Sequence, residues 1–566
     1  MSIQLILSHY LAGLRERDEL DALLPELLRE MGHSVLSRPQ IGVGQAGVDI
    51  VSTMDNDQGV KEVFLFVIKF GDVGRADLYG GTQAIDPSVR EACNVFIRNR
   101  LPEPLSDLKK RIVLVSNGVL KQEAQDGFSA LSHDVAGRPL CSLEFWGTDQ
   151  LTPLIEKHLF DESLLLASGK SDLRAALAGL EESETAIHRF IRFINSCFNF
   201  SETEGSQSTT TRKKHFLKRC ASASMGWAVL LVWGQSEGNQ KPGVVAGEYL
   251  ALRMWAEAVK SGFAADQAFN ERFTAIIHLL VRALLDYFEK ITPQLLSKRA
   301  LLAYRPDRLF YTDLVFEEVG RLSVLLLLLQ RLPDQDGLRS EIHDLLVRLV
   351  NEHPGCRLPV YDGQTIDVTL VMAALMGESS QQSAKRLVSE ITARFYRALR
   401  SSRYLPVDTD LLEDAVAVNV TGAAEARDFF ETSTLVPALA SIAAFLDDEQ
   451  TLKHLRDDAG PFLEGVTLER WFPEVALETL TGSNKSVQDV GVSRALAGIR
   501  GSASEEVEAS LNTVDGTDPM AFKWHGTPWT ILVALSSRIH RHPVPTWFLA
   551  EQVQIGQQRQ GAQQAS

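Results

Sequence analysis

The run Lys61–Phe70, KEVFLFVIKF, carries apolar side chains at every position from Val63 to Ile68. Successive side chains of a strand point to opposite faces, so both faces of this strand must be covered and it belongs at the centre of a sheet. A chain holding such a strand needs helices on both sides of that sheet.

The flanking pattern supplies them. Leu20, Leu23, Leu24, Leu27, Leu28 and Met31 recur at three- and four-residue spacing, which predicts an amphipathic helix from Tyr10 to Met31, stopped by Gly32. Strand-like runs follow at His33–Arg38, Val48–Thr53 and Lys61–Phe70, separated by turn-rich pieces. A helical pattern over 82–98 precedes the buried-type strand RIVLVS, Arg111–Ser116; a helix over 120–132, the strand SLEFWG and a helix over 149–159 complete the unit. Three consecutive strands imply a meander and the later ones a crossover, so the fold class expected is α/β with a mixed central sheet.

Beyond residue 170 the character changes. Residues 171–200 show helical spacing, Ser201–Thr211 (SETEGSQSTTT) has the composition of a flexible connector, and apolar-periodic segments dominate thereafter, including 312–332 and 466–480. No fixed-period repeat is present, so an irregular helical domain or a degenerate solenoid is expected. The tail QIGQQRQGAQQAS offers almost nothing to bury and is expected to be disordered. The organisation predicted is a sheet domain at 1–165, a helix and linker at 166–211, a helical region at 212–550 and a disordered tail at 551–566.

The formal charge of −16 is divided evenly: 1–165 holds 16 Lys and Arg against 24 Asp and Glu, and the remainder 41 against 49. A chain that coats nucleic acid would carry a basic domain, so any such contact must use a local patch. The five cysteines are dispersed and show no C-x-x-C spacing, which argues against a disulfide framework or a thiolate zinc site and for a reducing cytoplasm. The opening segment lacks the marks of a secretory signal, and the most apolar run, Leu322–Leu329, is too short to span a bilayer. No membrane association is expected.

The element order, the segment GQAGVDIV, the strand LFVIKF and the closing LEFWGTDQLTPLIEKHLF together resemble the PD-(D/E)xK restriction-endonuclease-like superfamily, in particular its Mrr-like group, over about 160 of the 566 residues. The resemblance implies a Mg²⁺- or Mn²⁺-dependent DNA endonuclease, a bacterial defence effector against phage or other foreign DNA. It implies Asp49 as a metal ligand and Lys69 as the group that orients or deprotonates the attacking water. Positions 67 and 69 share a strand face, and the family places a second metal-binding side chain at the first of them; here that residue is Val67. Glu30 at the end of the first helix is the first candidate for the missing ligand and third catalytic residue, with Asp72, Gln83 and Glu91 behind it. The alternative is a catalytically degenerate nuclease fold that serves as a scaffold for nucleic acid or protein. Asp49 also suits a turn cap, and Lys69 could snorkel from the strand end.

One dense basic cluster, Arg212, Lys213, Lys214, His215, Lys218 and Arg219, follows the connector and is a candidate contact for phosphate backbone. The chain has no GxxxxGK[ST] loop, nucleophile elbow or HExxH. The helical region is expected to mediate sensing, assembly with itself or contact with a protein partner.

Overall fold

The computed structural model describes residues 3–13, 20–37, 47–56, 58–80, 84–158, 170–198, 208–297, 300–304, 307–402, 405–420, 427–480, 491–512 and 518–565. The chain forms two compact units, one of Met1–Ala246 with Gln267–Leu279 and one of Gly247–Asp266 with Leu280–Ser566.

The first unit begins with α1 (Ile3–Gly13) and α2 (Asp21–Glu30), then β1 (Ser34–Ser37), β2 (Ile50–Asp55) and β3 (Lys61–Lys69). Of the helix expected from Tyr10 to Met31, the end of α1 and all of α2 are seen, and residues 14–19 between them lie outside the described residues. Leu23, Leu24, Leu27 and Leu28 form the buried stripe of α2, and Gly32, at φ +91°, takes the left-handed turn out of it. Next come α3 (Arg75–Tyr79), α4 (Ile85–Glu91), a π turn at Ala92–Phe96, α5 (Ile97–Asn99), β4 (Lys109–Ser116), α6 (Gln122–Ala136), β5 (Cys141–Trp146) and α7 (Thr148–His158). Three further helices, α8 (Lys170–Ala178), α9 (Ser183–Cys197) and α10 (Thr209–Ser236), belong to this unit rather than to a separate helical region.

The sheet has the order β1-β2-β3-β4-β5 and is mixed. β1 to β3 form an antiparallel meander, β2 and β3 pairing from Ile50↔Phe66 to Asp55↔Lys61. β3 to β5 run parallel, from Glu62↔Lys109 to Lys69↔Ser116 and from Lys110↔Cys141 to Val115↔Trp146. β3 is central, as its two apolar faces require. Val63, Leu65 and Val67 pack with Ile112 and Leu114 beneath Leu78, Ile85, Val89, Ala124 and Leu131 of α3, α4 and α6. On the opposite face Phe64 and Phe66 meet the rings of His33 and Trp146 edge-on. Burying Val63 to Ile68 contributes on the order of 10 kcal/mol of apolar transfer, which fixes the register of the strands around it.

One expectation in the first unit needs correction. Thr209, Thr210 and Thr211 are not connector but the first turn of α10, because the Ser208 hydroxyl caps it by accepting the Thr211 amide at 3.2 Å. The helix expected over 82–98 is present from Ile85 to Asn99, with a π turn at Ala92–Phe96 inside it.

The second unit is mostly helical, with the wholly buried helix Thr365–Met376 and the largely buried Arg308–Leu329 at its centre. It also holds a sheet that periodicity did not reveal, β6 (Thr432–Ser433), β7 (Thr467–Pro473) and β8 (Gly491–Leu496). Part of the segment 466–480 expected as one helix is thus strand, and only Ala476–Leu480 is helical. The tail also departs from expectation: Thr546–Ala565 is one helix. Arg559 from that helix donates to the carbonyls of Gln330 and Gly377, and Gly556 lies so close to Met376 that a Cβ would stand 2.3 Å from its carbonyl. Backbone satisfaction, rather than apolar burial, holds the glutamine-rich end in place. No helix among the described residues is long and apolar enough to cross a membrane.

Candidate functional site

The carboxyl ends of parallel strands are where open α/β sheets bind ligands. In the first unit, β3, β4 and β5 end together at Lys69, Ser116 and Trp146, and the segments leaving them are tied to one another. Asn117 accepts the Gly71 amide at 2.8 Å and donates to the Leu11 carbonyl of α1 at 2.9 Å. Thr148 donates its hydroxyl to the Asn117 carbonyl at 3.0 Å. Gly118 has no room for a side chain, since a Cβ there would lie 2.4 Å from the backbone of Gly71 and Asp72. This edge is built rigidly.

Lys69 lies half-buried at the end of β3, and strand alternation puts it on the face of Val63, Leu65 and Val67. Asp49 immediately precedes β2 on the neighbouring strand. Its amide bonds to the Phe66 carbonyl at 2.8 Å, and its carboxylate Oδ2 accepts the Ile68 amide at 2.7 Å. Val48 and Val51 both enter the same core, so the in-out alternation breaks between them, at the bend where Asp49 sits. Gly47 makes that approach possible: at φ +77° it passes so near α4 that a Cβ would stand 2.2 Å from the Ser88 carbonyl.

The structure places Asp49 and Lys69 at the same end of adjacent strands. Between them in register, Val67 is only 2 % exposed and offers no oxygen. Glu30 is exposed at the end of α2; His33, three residues on, packs against Phe64 and Phe66, so α2 leads onto the face opposite to that of Val67. Asp72 is exposed, accepts the Val119 amide at 3.1 Å and lies 3.9 Å from the Lys121 ammonium. Glu91 is exposed on α4, and Gln83 lies outside the described residues. Among the described residues no three His, Cys, Asp or Glu side chains come together in a group able to hold a metal ion. A divalent cation needs several protein oxygens to be held firmly. The donor set present does not fit the magnesium centre that the resemblance implies.

The basic cluster lies on the first three turns of α10, which packs against α1. Arg212 and Lys214 are exposed, whereas Lys213, His215, Lys218 and Arg219 are half-buried. The Lys214 ammonium stands over the ring of Phe70, 5.5 Å from its centroid. Phe70 directly follows Lys69 and is 45 % exposed. The sequence offered no local sign of this meeting, since 144 positions separate the two residues; the one available hint was a phenylalanine placed after the strand-end lysine.

In the second unit a cavity of about 40 Å³ lies among Asp362, Asp410, Thr434, Ser441, Arg470 and Trp471. That volume holds a few waters at most. Two of its charged walls have structural partners: burial pushes the Asp362 carboxyl up to about 6, against hydrogen bonds from the Thr434 hydroxyl and the Thr434 and Leu435 amides, with which it caps the helix Leu435–Phe445. Arg470 is paired at 2.7 Å with buried Glu506.

Comparison of the chain with family models, with curated proteins and with solved structures finds no match.

Proposed function

We propose that the first unit is a restriction-endonuclease-like domain of the PD-(D/E)xK type that has kept its fold and lost hydrolysis, and that the chain uses it to bind nucleic acid. The observation that carries this reading is Val67, buried at 2 % exposure where the superfamily places the second metal-binding side chain. Asp49, whose carboxylate accepts the Ile68 amide, then serves to pin the start of β2 against β3. Lys214, whose ammonium stands over the ring of Phe70 just past β3, and Arg212 on the same helix are exposed cations for a polyanion. The second unit supplies sensing or assembly, and a role in bacterial defence rests on the resemblance alone.

The test is a degradation assay on plasmid and single-stranded DNA with Mg²⁺ or Mn²⁺, comparing the wild type with Lys69→Ala. Binding without cleavage is the expected result. A Mg²⁺-dependent DNA endonuclease is the second reading, favoured by the half-buried Lys69 on the strand beside Asp49. It predicts metal-dependent cleavage that Lys69→Ala abolishes.

A further inference from the structure

The cluster on α10 is arranged, not merely concentrated. At about 100° per residue, five of the six, Lys214, Lys218, His215, Arg219 and Arg212, fall in that order within roughly 160° of the helix circumference, while Lys213 and the buried Phe216 and Cys220 fall outside this arc. The helix has no acid in its first turn. Cations at that end oppose the helix dipole, which favours negative charge there, so self-stabilisation of α10 does not account for them.

The second element of the surface comes from the sheet. Phe70 is an exposed aromatic at the tip of the central strand, held between Lys69 in sequence and Lys214 in space. Its backbone position is fixed by the ties of Gly71 to Asn117, so the ring is presented from a rigid mount. An aromatic face beside a row of cations matches the chemistry of a single strand, whose unpaired bases stack on aromatic rings while its phosphates track along basic side chains. A duplex hides its base faces and would leave the ring without a partner.

We infer that the cationic arc of α10 and the ring of Phe70 form one binding surface for single-stranded nucleic acid. The inference rests on the nucleic-acid-binding reading above and assigns its location and the form of the ligand: phosphates run along Arg212 and Lys214, and a base stacks on Phe70.

The experiment uses the full chain and fluorescence anisotropy of labelled oligo(dT), with a duplex of equal length as a second probe, across a series of KCl concentrations. The single strand is expected to bind more tightly than the duplex. The variant Arg212→Gln/Lys214→Gln should lower the slope of log affinity against log salt by about 1.4, at roughly 0.7 for each phosphate contact removed from a single strand. Phe70→Leu should weaken binding roughly 5- to 150-fold while leaving the slope unchanged. All three substituted side chains are exposed, and circular dichroism of each variant should match the wild type. Single-strand binding with an unaltered salt slope in the double variant would overturn the inference and leave the wider reading in place. Tighter binding of the duplex would overturn the stacking role, and absence of binding by the wild type to either probe would overturn both.

Discussion

The Asp49 carboxylate accepts a 2.7 Å hydrogen bond from the backbone amide of Ile68, the residue before Lys69 on the neighbouring strand. The Asp49 side chain is thus engaged with the backbone of the central strand. The bond closes the gap left where the β2–β3 ladder ends at Ile50↔Phe66.

Removing that acceptor should open the strand end. A hydrogen bond to a charged group is worth about 1.5–3 kcal/mol. Asp49→Ala should therefore raise hydrogen exchange in the peptide covering Ile68 on the order of 10- to 100-fold, while Asp49→Asn, which keeps an acceptor oxygen, should raise it far less. Equal exchange in both variants would show that the carboxylate does not hold this edge.

Restoring the absent acid tests the relation between position 67 and Asp49. Val67→Glu places a carboxylate in a dry core and should destabilise the first unit by about 2–4 kcal/mol at neutral pH. If the two positions share a face, millimolar Mn²⁺ should recover part of the loss in melting temperature for Val67→Glu and leave the wild type unchanged. No response of the variant to Mn²⁺ would separate the two side chains.

Burial holds the His33 imidazole down at about 4, well below its ordinary value of 6.5. The folded unit thus keeps His33 neutral in a range where the unfolded chain takes up a proton. Stability should fall as pH drops from about 6.5 to 4, by about 2 kcal/mol from this group, and the group should add no slope above that window. Acid unfolding followed by hydrogen exchange of the β2 and β3 peptides should show this slope, and His33→Gln should flatten it. An unchanged slope in the variant would assign the acid sensitivity elsewhere.

In the second unit the Arg470–Glu506 pair is buried on both sides, 5 % and 3 % exposed, at 2.7 Å. Glu506→Ala leaves the guanidinium charge uncompensated and should cost about 3–5 kcal/mol, whereas Glu506→Gln keeps a hydrogen-bond acceptor and should cost less. Thermal melting of the two variants ranks them, and identical melting temperatures would deny the pair its structural role.

That pair also explains why β7 was hidden in the sequence. Thr467–Pro473 reads TLERWFP, and a buried arginine breaks the apolar pattern that marks a strand. Where burial is apolar the reading succeeded: KEVFLFVIKF gave the central strand, and the sheet around it followed from the meander and crossover order. The glutamine-rich tail misled for the same reason as β7, because Arg559 docks it through carbonyls and not through an apolar stripe. At the candidate site, strand spacing alone puts Val67 and Lys69 on one face of β3, whereas Asp49 was singled out by the resemblance, since the in-out alternation breaks beside it. The meeting of Lys214 with Phe70 depends on how α10 packs on α1, a long-range relation that no local pattern carries.

We propose above that the first unit binds nucleic acid without cutting it. The direct measurement is one incubation of end-labelled single-stranded DNA with the full chain and Mn²⁺, split between a native and a denaturing gel. The expected result is a retarded band on the native gel and full-length DNA on the denaturing one, identical in length to DNA incubated without protein. Shortened products that require the metal and disappear with Lys69→Ala would contradict it.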